Sequence, residues 1–219
     1  MKKDRTMLLI GLILPSIFIL SAGCETSHNP EHPTHQRTFY SLEDALDNPE
    51  YAVTLFLDNI GDSLSPEIGN LPVLSDVYIS NSEIAYLPDE FANRRFLLAC
   101  WIRNCRFQHI PPQLLNLDIL TTLNLDRNEI EEIPTGFNRQ VALRYLSLCN
   151  NKISKIERSA LNLKNCESIR LDSNRLVDFN FNMYDFPQLQ ELTLTGNLLS
   201  DSVKSKLRLE FAGLEVLRL

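Results

Sequence analysis

Residues 120–134 read "LTTLNLDRNEIEEIP". Apolar side chains stand at Leu120, Leu123, Leu125, Ile130 and Ile133, Asn128 interrupts them, and Pro134 closes the stretch. An amphipathic helix keeps steps of three and four throughout, and a half-buried strand keeps steps of two. This stretch keeps neither rhythm for long. One local element cannot account for it, so the explanation has to lie in how the stretch packs against others like it.

The pattern recurs. Taking Leu120 as a start, equivalent starts fall at Leu74, Leu97, Leu143, Cys166 and Leu189, giving five consecutive steps of 23 residues. Apolar residues follow three and five positions on: Val77 and Ile79, Cys100 and Ile102, Leu123 and Leu125, Leu146 and Leu148, Ile169 and Leu171, Leu192 and Leu194. Asparagine follows eight positions on in the later copies, at Asn128, Asn151, Asn174 and Asn197, where earlier copies carry Ser82 and Cys105. An upstream copy begins at Ala52 and runs one residue short. A fixed period in this range marks a stacked repeat architecture.

The physics of one repeat explains the uneven steps. The centre of each copy is a short strand, so Leu123 and Leu125 point inward while Thr122, Asn124 and Asp126 point outward. The chain then turns, and the Asn side chain is placed to satisfy backbone groups that the turn leaves unpaired. Ile130 and Ile133 return to the same core from the far side, and Pro88, Pro111 and Pro134 stiffen the start of the return segment. A further apolar residue follows at Phe91, Leu114, Phe137 and Met183. One such coil cannot bury its apolar side alone, so coils stack.

These residues resemble the leucine-rich repeat family in its bacterial 23-residue form, "LxxLxLxxNxLxxLPxxF". The resemblance covers residues 40–219. It implies an α/β-class solenoid, a horseshoe with a concave parallel β-sheet and short 3₁₀ or irregular convex segments. Asn is absent from the first three copies, and Ile156 and Phe179 are not followed by proline. Open stacks expose core and a sheet edge, so caps are expected at both ends. Residues 40–51 read as an N-terminal cap, with Ser41 capping a helix that carries Leu42, Ala45 and Leu46 on one face. Residues 52–199 hold the repeats. In 200–219, Ser200 or Asp201 starts a helix bearing Val203, Leu207 and Phe211, Gly213 suits its end, and "LEVLRL" makes a last strand. The chain is expected to end there as a finished domain.

The first 23 residues read as a signal peptide: "MKKDRT", a 14-residue apolar run from Met7 to Leu20, then "LSAGC". The run is short for a membrane span. The small-small-Cys ending resembles a bacterial lipoprotein signal, which implies lipidation of Cys24 and a membrane anchor there. Ordinary cleavage after Ser-Ala-Gly is the rival reading and leaves Cys24 free. Residues 24–39 are polar, contain Pro30 and Pro33, and read as a flexible tether. Its His28, His32 and His35 are spacer residues on this reading, and no metal site is assigned to them. The expected location is an exported one, at a bacterial outer membrane or cell surface, or secreted or periplasmic without the lipid.

The formal charge is −7, and −9 once residues 1–23 with Lys2, Lys3, Asp4 and Arg5 are removed. A chain that acidic has no general attraction for nucleic acid or anionic lipid, so no nucleic-acid partner is expected. Cys100, Cys105 and Cys166 take inward positions as small apolar residues. The Cys100–Cys105 spacing leaves a disulfide open, and with His109 it falls short of a zinc site for want of a fourth ligand. Cys149 should face outward as a reactive thiol.

Nucleophile elbows, H-E-x-x-H and phosphate-cradling loops are missing from the sequence, and only seven glycines are present. No enzyme activity and no cofactor are expected. What remains is the concave sheet. Its outward residues in successive copies are Phe56, Tyr78, Trp101, Asn124, Ser147, Arg170, Thr193 and Arg218. The first three form an aromatic strip, Tyr145 lies two positions earlier on its own strand, and Asp76, Arg103, Asn104, Asp126 and Arg127 surround them as a polar rim. The expected site is therefore a protein-binding surface of Phe56, Tyr78, Trp101, Arg103, Asn124, Asp126, Tyr145 and Arg170. Alternatives are glycan recognition by the same rings, or a passive envelope scaffold whose aromatics only pack across strands.

Overall fold

A computed structural model describes residues 37–161 and 163–219. The leader, Cys24 and nearly all of the tether, including His28, His32 and His35, lie outside the described residues. Among the described residues nine strands form one parallel sheet, hydrogen-bonded in chain order: β1 (Thr38–Phe39), β2 (Thr54–Asp58), β3 (Asp76–Ser80), β4 (Ala99–Arg103), β5 (Thr122–Asn124), β6 (Tyr145–Ser147), β7 (Ser168–Arg170), β8 (Glu191–Thr193) and β9 (Val216–Arg218). Each repeat contributes one strand in register with the last: Phe56 pairs with Tyr78, Tyr78 with Trp101, Trp101 with Asn124. The period of 23 thus becomes a set of columns running across the sheet, in which equal repeat positions become neighbours.

Inward residues build one continuous core. Leu55, Val77, Cys100, Leu123, Leu146, Ile169 and Leu192 are fully buried, and Ile84, Phe107, Ile130, Ile153 and Leu176 meet them from the return segments. Prolines act as read. Pro88, Pro111 and Pro134 immediately precede 3₁₀ turns at Asp89–Asn93, Pro112–Asn116 and Thr135–Arg139, and Pro66 begins another at Pro66–Asn70. Beyond Ile156 and Phe179 the return segments carry no 3₁₀ turn among the described residues, and Phe179, Phe181 and Phe186 fill the space instead.

The ninth-position asparagines form a ladder, buried at Asn128, Asn151 and Asn174 and half-buried at Asn197. Asn128, Asn151, Asn174 and Asn197 each donate through Nδ2 to a carbonyl of the preceding coil and to one of their own. Each also accepts a backbone N–H through Oδ1, from Phe107, Ile130, Ile153 and Leu176 respectively. In the earlier copies Ser82 Oγ accepts from the Ile60 N–H and donates to the Ser80 carbonyl, and Cys105 Sγ donates to the Arg103 carbonyl. The residue just before this position turns left-handed in every copy, at Asn59, Asn81, Asn104, Arg127, Asn150, Ser173 and Gly196, with φ between +50 and +75°. Asn and Gly suit that region; Arg127 and Ser173 occupy it against a cost of about 1 kcal/mol.

Both helical caps are present, with two corrections. Helix α1 (Leu42–Asp47) is capped by Ser41, whose Oγ accepts from the Asp44 N–H, and helix α2 (Asp201–Glu210) by Ser200. The boundary read at residue 39 is displaced, because Thr38 and Phe39 already form β1 and Phe39 is buried in the core. Two residues are too few to show an alternation in sequence. Gly213 does not take a left-handed C-terminal position; the helix ends at Phe211, whose N–H reaches the Leu207 carbonyl.

Candidate functional site

The in-register columns decide what the concave face presents. Parallel strands lie about 4.8 Å apart, so like residues at one repeat position are brought to stacking distance by the backbone itself. Tyr40, Phe56, Tyr78 and Trp101 stack with centroid separations of 5.5, 4.2 and 4.3 Å and interplanar angles of 18, 14 and 4°. The expected three-ring strip is a four-ring ladder. Tyr40 lies one residue past the Phe39–Leu55 pair and so falls opposite Phe56. Sequence reading missed it because no strand was recognised upstream of residue 52 and Tyr40 lies only 16 residues before Phe56, off the 23-residue step.

Stacking has a consequence for recognition. Each pair contributes about 0.5–1.5 kcal/mol beyond its area, so part of the ladder's value is structural. Phe56 and Tyr78 have both ring faces covered by neighbours, leaving ring edges toward solvent. Tyr40, 73% exposed, ends the stack on one side, and half-buried Trp101 ends it on the other, next to Asn124. A ladder of edges suits an apolar or carbonyl-bearing protein surface better than a run of sugar rings, which stack face to face.

Next to Trp101 the column changes character. Asn124 was expected on the accessible surface, and this is corrected. It is only 6% exposed, and its Oδ1 turns back to accept the Asp126 N–H. Ser147 and Thr193 are likewise buried, donating to Asp126 and Asp172. Small residues beside large ones are covered by them. Asp126 is half-buried and already occupied, accepting from Ser147 Oγ at 2.6 Å and the Cys149 N–H at 2.7 Å. It serves the sheet before it serves a partner.

Tyr145 and Arg170 form a second group, apart from the ladder. The Arg170 guanidinium lies 5.5 Å from the Tyr145 ring centroid and grips Glu191 through Nε and Nη2 at 3.1 and 3.0 Å, with Ser168 Oγ also donating to Glu191. Burial pushes the Tyr145 hydroxyl up. Arg103 is exposed at the strand ends, as is Arg127, beside a chain of side-chain bonds in which Ser80 and Asn81 donate to Asp58 and Asn104 donates to Asn81. Asp76 borders the ladder on the other side, half-buried, with burial raising its carboxyl against the pull of Ser75. The concave face therefore has an aromatic half and an ionic half.

The cysteines behave as packing residues. Cys100, Cys105, Cys149 and Cys166 are free, so the Cys100–Cys105 bridge is not formed. Cys149 was expected to be reactive, and this is corrected: burial pushes its thiol up to about 11 and its Sγ faces Asp172. Two units above the ordinary 9.0 means about 100-fold less thiolate at pH 8. Iodoacetamide should thus label Cys149 in folded protein about 100-fold more slowly than in denatured protein. The rate should climb roughly tenfold per pH unit toward pH 10; a fast, pH-flat rate contradicts the burial. Among the described residues no group of three or more metal-ligating side chains comes together.

Comparison with known proteins places these features. Residues 141–199 match the sequence model of the leucine-rich repeat family. No curated protein matches the chain. Among solved structures, a leucine-rich repeat protein of Leptospira interrogans superposes with a TM-score of 0.67 at 21% identity, over 84% of this chain and 58% of that one. An internalin of Listeria monocytogenes gives 0.60 at 22%, over 74% and 46%. The leucine-rich repeat ectodomain of a membrane receptor kinase of Arabidopsis thaliana, in complex with Casparian strip integrity factor 2, gives 0.56 at 25%, over 67% and 18%. The chain thus spans 58% and 46% of the first two, and the likeness is one of fold.

Proposed function

We propose that this leucine-rich repeat solenoid is a non-catalytic protein-binding module of a bacterial envelope, anchored through a lipid on Cys24, that recognises a protein partner across its concave sheet. The observation that carries this reading is the contiguous ladder of Tyr40, Phe56, Tyr78 and Trp101 on the solvent side of the sheet. Aromatic residues at the centre of a face are the type that dominates binding energy. Arg103 supplies an exposed cation beside the rings, while Tyr145 and Arg170 offer a preformed ionic border. The plant receptor ectodomain, solved in complex with Casparian strip integrity factor 2, supports a protein partner over a glycan. So do the covered ring faces.

The test uses the full chain immobilised and exposed to envelope extract, beside the triple variant Phe56→Ala, Tyr78→Ala, Trp101→Ala. The partner should be captured by the parent and lost by the variant, with affinity falling about 100-fold or more. Titration followed by Trp101 fluorescence, with Trp101→Phe as control, should give a saturable shift with the same fraction. Unchanged capture by the triple variant returns the ladder to packing alone, and a shift with glycan fractions only favours the glycan reading.

A further inference from the structure

The repeat columns also organise a face that the concave reading does not use. Immediately before and after each repeat's first leucine the chain crosses the flat side of the solenoid from which the strands emerge. Phe96 and Leu98 flank Leu97, Ile119 precedes Leu120 and Val141 lies two residues before Leu143, and they are 63, 42, 41 and 63% exposed. Backbone bonds fix the column, with the Leu98 N–H donating to the Ser75 carbonyl, Thr121 to Leu98 and Arg144 to Thr121. An open hollow of about 310 Å³ beneath Phe96, shared with Arg94, Arg95, Asn70 and Asn93, ties the ends of the 3₁₀ turns to the same side.

Charge on this side runs against the chain as a whole. Arg95, Arg139, Arg144 and Lys164 are exposed here against Asp118, Glu167 and Asp185; Glu167 is paired with Arg144 at 3.0 Å, Asp185 with Arg158 at 2.8 Å, and Lys164 Nζ donates to the Tyr184 and Asp185 carbonyls. Arg95 and Arg139 have no ion pair among the described residues. Arg94 adds a buried guanidinium that donates to the Leu71 and Gly69 carbonyls and meets no carboxylate. Large apolar tips ringed by cations are the pattern of a protein surface that rests on anionic lipid headgroups and dips side chains among the acyl chains. The net charge of −7 does not oppose this, because charges further than about 8 Å from the lipid are screened at physiological salt.

We propose that this flat side is a docking face for an anionic lipid bilayer, with Phe96, Leu98, Ile119 and Val141 inserted and Arg95, Arg139 and Lys164 on the phosphates. It holds the solenoid on its side and leaves the concave sheet open to a partner. The proposal needs neither lipidation of Cys24 nor the aromatic ladder. An acidic protein would use the same cations but would ask for shape complementarity; the four apolar residues form a ridge with no directional partner groups, which a fluid bilayer matches.

The experiment uses the full chain with Cys24→Ser in every arm, so that no acyl group contributes, and reads one indole. Phe96→Trp in a Trp101→Phe background places it on the flat side; the parent Trp101 reports the concave side. Vesicles of phosphatidylglycerol and phosphatidylcholine should shift the flat-side emission to shorter wavelength. Brominated lipid should quench it while Trp101 stays unchanged. Each basic residue near an anionic surface gives about a fivefold gain, so Arg95→Gln, Arg139→Gln, Lys164→Gln together should raise the lipid needed for the half-maximal flat-side shift about a hundredfold. Every arm carries the same leader, so only the position-specific signal counts. No flat-side shift, equal shifts for both indoles, an equal flat-side shift with pure phosphatidylcholine, or a concentration-dependent shift without vesicles (self-association) each overturns the proposal.

Discussion

Asn151→Ala should destabilise the fold by about 3 kcal/mol, far more than a surface Asn→Ala change. Asn151 is 8% exposed. Its Nδ2 donates to the Leu125 and Leu148 carbonyls at 3.0 Å each, and its Oδ1 accepts the Ile130 N–H at 3.0 Å. Alanine orphans the buried Ile130 N–H, while the Leu125 and Leu148 carbonyls each lose one of two donors and keep those from Asn128 and Asn174. The orphaned donor costs roughly 1–3 kcal/mol, and the two lost carbonyl bonds add roughly 0.5–1.5 kcal/mol each. Urea denaturation should show a lower midpoint at unchanged slope, and Tm should fall by roughly 6–12 °C. Asn151→Asp should be no better, since a carboxylate faces two carbonyls. Asn197→Ala, at the more open end of the ladder, should cost less. An Asn151→Ala midpoint within error of the parent would mean that the turn satisfies its own backbone without the ladder.

That ladder was legible in the sequence, and the reason is physical. A stacked coil has to repeat the same solution to the same backbone problem, so the Asn at position nine and the inward pairs such as Leu123 and Leu125 recur at a fixed step. Side-chain crowding does not repeat in this way. Asn124 and Trp101 occupy equal positions, but a large ring stands proud while a small amide is covered by what surrounds it. Alternation gives direction and not exposure. Cys149 misled for the same reason: outward-pointing is not solvent-reaching when Ser147, Asp126 and Asp172 close around the thiol.

Short elements and local charge were the other blind spots. β1 is two residues long and shows no alternation, so Tyr40 was left out of the column it completes. A single net charge averages the flat side with the rest of the chain and conceals its cations. Reading the residues around each first leucine (Phe96 and Leu98 beside Leu97, Ile119 before Leu120, Val141 two before Leu143) exposes the apolar ridge from the same alignment that gave the fold.

Phe186→Ala is expected to cost about 3–5 kcal/mol and to take it from one end of the molecule. Phe186 is fully buried, with its ring 5.4 Å from Phe181 and 6.4 Å from Phe179, while Phe179 lies 6.0 Å from Phe211 at the end of α2. These rings fill the coils that lack a proline-led 3₁₀ turn, and they join the last repeats to the closing helix. The cavity left by alanine therefore weakens the interfaces of β7, β8 and α2. Stability in a stack is close to a sum of repeat and nearest-neighbour contributions, so the loss should not spread evenly. Hydrogen exchange should show α2 and β8 opening first. Trp101, on β4, should keep its native emission until higher denaturant, splitting one transition into two. The Arg170–Glu191 pair sits on those same strands, so the ionic half of the concave face should be lost before the aromatic half. Phe186→Leu, which keeps most of the volume, should cost less than about 1.5 kcal/mol and keep the transitions together. A single coincident transition for Phe186→Ala, however displaced, would show instead that the solenoid couples its two halves as one cooperative unit.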